Sequence, residues 1–395
     1  MLDASTVATK KIYYDDPYTV SFEARVVSFE EGDLVLDRTA FFPEEGGQNP
    51  DTGILADCRV ADVKIKKGFI HHYLEPLEGK KLPDLREGDL VTGTIDWDHR
   101  FSNMQQHSGE HLFSGIAHSL YGCENVGFRL SDKEVTVDFD RFLTDEELLI
   151  IEERVNEAIA LNVASRVEIL NGQEALEAEY RSKLTLTKDV RVVSFPGFDA
   201  CACCAPHVAR TGEIGLLKVV RAIKWKNGVR VTILSGKCAM ELFDKDHEIL
   251  KRTAQYLTTS VEGVYGQVVK MKEELAALKA QLRAQAILSM RRKVAQMETG
   301  DGNAVIFESE VEQEAAREAV NAMVEKKSGY CGVFIGTDET GYRYIVGRRG
   351  GDARVMNALL KERFNARGGG QAAMVQGSVT CTGDEVRALF EETGE

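Results

Sequence analysis

Two histidines, His107 and His111, stand four residues apart in Gln106-His107-Ser108-Gly109-Glu110-His111, and some ninety residues further on the chain reads Cys203-Cys204-Ala205-Pro206-His207. On a helix, positions four apart share one face, so two imidazoles can grip a single ion. A thiolate and a third imidazole at the same spacing complete a tetrahedral set of borderline-soft donors, which suits zinc better than magnesium or calcium. Bound there, zinc would act as a Lewis acid that lowers the pKa of a water toward about 7 for hydrolysis. Glu110 is a candidate general base, provided that its side chain faces the ion. Cys201 and Cys204 are spare thiols whose spacing to His207 fits a ligand less well.

The remaining composition bounds the setting. A chain of 395 residues is long enough for two or three domains, each with its own core. No apolar run approaches the ~18 residues of a membrane span, and the first residues lack the pattern of a signal peptide. Eight cysteines, three of them crowded at 201, 203 and 204, do not read as a disulfide framework. A donor thiolate must stay reduced, so a cytoplasmic location is expected. The net charge of −14 argues mildly against a polyanionic partner, yet the local basic face decides. Two stretches supply one: Arg221, Lys224, Lys226 and Arg230, and a longer span from Arg343 to Arg367.

The expected fold class is multi-domain α+β. Residues 1–97 alternate as short strands (18–27, 33–37, 58–63, 68–74 and 90–96) and predict a small N-terminal β-barrel. Residues 98–242 predict an α+β unit, with the histidine pair on a helix over 100–121 and the Cys-His segment between strands at 190–195 and 216–225. A second helix is expected over 145–161, capped by Thr144. An Asn227-Gly228 hairpin is expected after Trp225. Residues 243–298 repeat apolar positions by threes and fours from Leu250 to Leu282, a coiled-coil-like linker whose seam (250–282) would pair two copies or fold against a neighbouring helix of the same chain. Residues 299–395 alternate strands and helices as a small α/β domain.

Four segments, in order, carry a resemblance. They are Arg38-Thr39-Ala40-Phe41-Phe42-Pro43-Glu44-Glu45-Gly46-Gly47-Gln48, Gln105 to His111, Cys203 to His207 with Arg210 to Gly215, and Arg367-Gly368-Gly369-Gly370-Gln371 through Gly377. Together they resemble the stand-alone alanyl-tRNA editing proteins (AlaX type, long form), which are similar to the editing and C-terminal parts of alanyl-tRNA synthetase. The resemblance implies that His107, His111, Cys203 and His207 hold zinc. It also implies that the last domain is the DHH-associated kind, here without a DHH catalytic motif. In one respect the chain departs from the family: the second metal motif usually reads close to Cys-Gly-Gly-Thr-His, whereas Cys204, Ala205 and Pro206 fill its middle here. Pro206 offers no amide proton.

The implied activity is hydrolysis of the ester in mischarged tRNA(Ala), carrying serine chiefly, with glycine left open. A synthetase pocket built for alanine cannot strongly reject either amino acid, so a second site must remove the product. Thr39 and Gln48 are candidates for reading the serine hydroxyl or for holding the terminal adenosine. Arg221, Lys224, Lys226, Arg367, Gly368, Gly369 and Gly370 are candidates for tRNA contact, through charge and free backbone amides. Two rivals stay open. His107-Ser108-Gly109-Glu110-His111 formally fits the H-x-x-E-H metalloprotease pattern, which would want a carboxylate as third ligand. A non-catalytic tRNA-binding protein with a structural zinc is the other.

Overall fold

The structure, a computed structural model, describes residues 8–131, 134–182 and 187–394. It divides into two compact units, Met1–Ile249 and Leu250–Glu395. The architecture is α+β with several separate sheets.

In the first unit six strands pair in a closed ring: Ser21–Glu30, Asp33–Leu36, Phe69–Pro76, Cys58–Lys66, Gly53–Leu55 and Leu90–Ile95, the last returning to the first. Period-two burial is the cause: Phe22, Ala24 and Val26 point inward while Ser21, Glu23 and Arg25 face solvent. Phe41 and Phe42, from the segment after Arg38–Thr39, join this interior.

Beside the ring lies the helix Trp97–Tyr121. Asp96 caps its start by accepting the His99 N–H, and Gly122, at φ 63°, ends it. Met104, Leu112, Phe113 and Ile116 pack on Val135, Val137, Phe139, Val231 and Ile233 of a four-stranded antiparallel sheet. That sheet orders Leu217–Trp225, Gly228–Ser235, Val135–Phe139 and Asn125–Leu130. The helix Asp145–Ala160 carries the full capping box, with Thr144 and Glu147 bonding reciprocally. A three-stranded sheet (Arg166–Leu170, Val190–Phe195, Asp199–Ala202) carries the segment leading into Cys203.

Two local expectations are corrected. The hairpin loop is Lys226-Asn227, because Trp225 already pairs with Gly228. Gly228 is inside the strand for a different reason: a Cβ there would lie 1.9 Å from the Phe139 carbonyl oxygen. The long apolar repeat is not one helix either. Gly236–Tyr256 and Val264–Ala295 are separate, with Thr258 left-handed at φ 54° between them. Hydroxylated residues at 258–260 and Gly263 outweigh the apolar period there.

In the second unit a five-stranded sheet orders Ala304–Glu308, Tyr330–Thr337, Gly341–Arg348, Met374–Val379 and Arg367–Gly370. Helices Gln313–Val324, Ala353–Phe364 and Gly383–Glu392 cover it. The last turns of Val264–Ala295 join its core through Met290 and Val294, while Val268, Met271, Leu275, Leu278 and Leu282 stay exposed. Among the described residues, no helix is long and apolar enough to cross a membrane.

Candidate metal centre

The helix Trp97–Tyr121 buries a polar face: Asn103, Gln106, His107, Ser108, Glu110, His111 and Ser114 are all nearly inaccessible. Buried polar groups must find partners, so such a face marks a built site rather than ordinary core. Small residues let it form. A Cβ on Gly109 would lie 2.1 Å from Ser235 Oγ, so glycine allows the helix to touch the sheet. A Cβ on Gly115 would lie 2.6 Å from both Asp199 Cβ and the Phe198 carbonyl oxygen, so glycine lets Asp199 reach the helix.

The donor atoms of His107, His111, Cys203 and His207 lie within 4.8 Å of one another. Cys203 Sγ is 3.3 Å from His207 Nε2 and 3.7 Å from His107 Nε2. A tetrahedral ion with usual bonds to nitrogen and sulfur sets such atoms about 3.5 Å apart, so the pairwise spacing fits one shared ion. Which nitrogen faces the centre is decided from behind. His107 Nδ1–H donates to Gln48 Oε1 at 2.8 Å. His111 Nδ1 stands 3.1 Å from Asp199 Oδ2, and His207 Nδ1 stands 3.0 Å from Ser108 Oγ. The Gln48 carbonyl and the Asp199 carboxylate can only accept, so at His107 and His111 the proton belongs on Nδ1 and the Nε2 lone pair is left for a metal.

Electrostatics agree. Burial holds His107 and His207 well below the usual imidazole range, the charge of neighbouring histidines adding to it, so both are neutral donors. Burial pushes the Cys203 thiol well above its ordinary value, Cys204 adding to it. A coordinated cation reverses that preference and binds the thiolate. Burial also works to raise Asp199, but the His111 contact and Arg181 outweigh it, and the carboxyl sits below its ordinary value. Arg181 grips Asp199 with two bonds, Nε to Oδ1 at 2.6 Å and Nη2 to Oδ2 at 3.0 Å.

Distant elements supply these partners. Gln48 ends the turn Glu45-Gly46-Gly47-Gln48, which bridges to Leu130 of the four-stranded sheet. The turn is pinned to the histidine helix by Arg100, fully buried, whose Nε donates to Asp51 Oδ1 at 2.9 Å and whose guanidinium also bonds the Ala40 and Pro17 carbonyls. Arg191 Nη1 holds the Cys-His loop through the carbonyls of Cys203 (2.8 Å) and Ala205 (3.0 Å).

The other expected residues fall as follows. Thr39 is fully buried; its hydroxyl donates to His72 Nε2 at 2.9 Å and accepts the Phe41 N–H at 3.1 Å. The donor direction follows from His72 Nδ1, which donates to the Leu34 carbonyl. Its single proton is therefore committed inside the barrel. Glu110 Oε1 is held by Ser114 Oγ and by Asn125 Nδ2 at 2.7 Å, so that oxygen orients the helix against the neighbouring strand. Arg221 pairs with Glu134 at 3.1 Å, whereas Lys224 and Lys226 are exposed at the hairpin end. Gly368, Gly369 and Gly370 are an edge strand, not a loop of free amides. A Cβ on Gly368 would lie 2.3 Å from Tyr344 Oη, so close packing explains that glycine. Arg367 and Arg343 line a cleft of about 320 Å³ in the second unit. Ser108, Asp199 and Arg181 were not singled out from the sequence. Asp199, four residues before Cys203, offered only the signal that a histidine ligand wants an anionic neighbour.

Comparison with known proteins gives this geometry a lineage. The family model of class II tRNA synthetases (A) matches residues 5–99, and that of the threonyl and alanyl tRNA synthetase second additional domain matches residues 190–231. Alanine–tRNA ligase of Ignicoccus hospitalis is 32% identical over 285 residues, covering 69% of this chain and 31% of that protein. The Sulfurisphaera tokodaii enzyme is 32% identical over 335 residues (78% and 36%), and that of Korarchaeum cryptofilum 34% over 289 residues (70% and 32%). The chain thus spans about a third of the length of these relatives. It is built from domains of the class II synthetase kind, centred on a His-His-Cys-His cluster able to hold a metal. Within that class it is an AlaX-like protein, related to the editing domain of alanyl-tRNA synthetase.

Proposed function

We propose that the chain is a zinc-dependent trans-editing hydrolase that deacylates tRNA(Ala) mischarged with serine. The observation that carries this reading is the donor quartet, its atoms within 4.8 Å of one another, with hydrogen bonds behind His107 and His207 and the Asp199 carboxylate 3.1 Å behind His111, set beside a buried glutamine with one unpartnered atom. His107, His111, Cys203 and His207 would hold the ion. Bound there, zinc supplies positive charge that positions and polarises the ester carbonyl. The thiolate donor fits a reducing cytoplasm.

Gln48 then has two jobs. Its Oε1 orients His107, and its Nε2 is buried and without a partner, free to meet a substrate group. A donor of this kind reads the serine hydroxyl. Alanine would leave it unpaired, at a cost of about 1–3 kcal/mol. Glycine, lacking the hydroxyl, is expected to be the poorer substrate. The tRNA body would lie along exposed Lys224 and Lys226 and, in the second unit, against Arg367 and the glycine strand. The exposed seam from Val268 to Leu282 would pair two copies.

One observation favours a second reading. Four protein donors close a tetrahedron and leave no open position, as structural zinc sites do. The chain would then bind tRNA without turning it over. A deacylation panel of Ser-, Gly- and Ala-tRNA(Ala), with metal content measured on the same sample, separates the two. Hydrolysis of the seryl ester that disappears in Cys203→Ala supports editing. Tight tRNA binding with no turnover supports the binding protein.

A further inference from the structure

The turn that delivers Gln48 leaves more than one polar atom unmatched. Gln48 N–H closes it on the Glu45 carbonyl at 3.1 Å, with Gly46 and Gly47 at φ 62° and 83°. One end touches His107; at the other, a Cβ on Gly46 would lie 3.1 Å from Cys204 Sγ. The turn therefore spans the metal quartet from one ligand to the neighbour of another. Along it, Glu45 Oε2 and Gln48 Nε2 are buried without a hydrogen-bond partner. Tyr13 Oη, fully buried and within the electrostatic reach of Glu45 and Cys204, is a third such atom.

A buried polar atom without a partner is destabilising, more so when charged, so three together ask for a ligand. Nearby cations do not supply one. Arg191 directs Nη1 to two backbone carbonyls and lies over the Tyr14 ring at 5.0 Å, and its Nε, buried too, bonds neither Glu45 nor any other group among the described residues. Lys11 bonds Tyr14 Oη at 3.4 Å. What is offered is one anionic acceptor, one hydroxyl and one amide donor. An aminoacyl ester presents the complement within a few bonds of its carbonyl: an α-ammonium, and in serine a hydroxyl. α-Amino groups titrate close to neutrality, so the cation is available at neutral pH.

We propose that Glu45, assisted by Tyr13, binds the α-ammonium of the aminoacyl group and so restricts the site to esters with a free amino terminus. Resting on the hydrolase reading, it names a substrate feature: aminoacyl-tRNA is accepted, and N-acylated aminoacyl or peptidyl-tRNA is excluded. An acylated nitrogen has no charge for the carboxylate and adds bulk where the turn closes against Cys204.

The test uses two non-hydrolysable probes, the serine amide of 3′-amino-3′-deoxyadenosine and its N-acetyl derivative, titrated calorimetrically into the metal-loaded full chain. Wild type is expected to bind the free amine about ten- to a hundredfold more tightly, the range for a charge-assisted bond. Glu45→Gln should bring the two affinities within about twofold by weakening the free amine alone, with an unchanged melting curve. Glu44→Gln, on the exposed neighbouring carboxylate, should behave as wild type. Equal wild-type affinities, or undiminished preference in Glu45→Gln, overturn the assignment. Hydrolysis of Ser-tRNA(Ala) is measured in parallel. Activity with either overturning result sinks the Glu45 role alone, whereas no hydrolysis and no binding of either probe sinks the hydrolase reading and this with it.

Discussion

Replacing Asp199 with asparagine probes how the centre is held. The carboxylate is bound twice by Arg181 and stands 3.1 Å from His111 Nδ1, its side chain 1% exposed and that of Arg181 16%. Asparagine keeps the shape and removes the charge, with two separable consequences. Arg181 is left as an uncompensated cation in a largely buried setting, a change that costs about 3–5 kcal/mol of stability. His111 loses the anion that fixes its Nδ1–H, and loss of such an outer partner lowers metal affinity about 10- to 100-fold, or about 1.4–2.7 kcal/mol. Competition with a chromophoric chelator reads the second quantity, and urea unfolding of the metal-free protein reads the first. The double variant Arg181→Gln, Asp199→Asn removes the stranded cation, so it should recover much of the stability and none of the metal affinity. Gly115→Ala should lower both metal affinity and stability, since its methyl would collide with the Phe198 carbonyl oxygen and displace Asp199 from His111 and Arg181. Full metal affinity in Asp199→Asn would refute the reasoning that the carboxylate orients a ligand.

Other expectations follow from the same contacts. Gln48→Leu removes both the His107 partner and the free amide, and should reduce the Ser-to-Ala deacylation ratio by tenfold or more; an unchanged ratio would remove Gln48 as the discriminator. Leu275, Leu278 and Leu282 changed together to glutamate should turn a dimer into a monomer in sedimentation without lowering the melting temperature, because all three are more than half exposed. A wild-type monomer at micromolar concentration would end the pairing proposal. Burial pushes the His72 imidazole down to about 4 from an ordinary 6.5. Its folded value is the depressed one, so stability is full above about 6.5 and falls as pH drops toward 4, by about 3 kcal/mol at 1.36 kcal/mol per unit. An NMR titration in which His72 protonates near 6.5 in the folded protein would contradict this.

The ligands were legible because metal chemistry restricts residue type and helical geometry restricts spacing. His107 and His111 had to share a face, and Cys203 and His207 repeat the interval. The atoms behind them were not legible. Gln48, Asp199 and Ser108 reach three histidines from a barrel loop, a short strand and the helix itself, and only the fold closes those distances. Strands with clear alternation, such as the first half of Ser21–Glu30, stood out. Asp199–Ala202 did not, being four residues long and built from small and polar types that carry no period. The glycine-rich run at 368–370 reads as a loop but pairs as an edge strand; Tyr344 packs against Gly368 and Gly377, while Gly369 stays open and exposed. Apolar spacing likewise overstated the long helix, since a period says nothing of the hydroxyl-rich break at 258–260.

X-ray absorption at the zinc edge on purified, metal-quantified protein tests the central claim most directly. One zinc per chain, with three nitrogens at about 2.0–2.1 Å and one sulfur at about 2.3 Å, is the expected result, and the sulfur shell should vanish in Cys203→Ser. A chain that retains no metal against mild chelation, or a bound ion surrounded by oxygen with no sulfur, would contradict it.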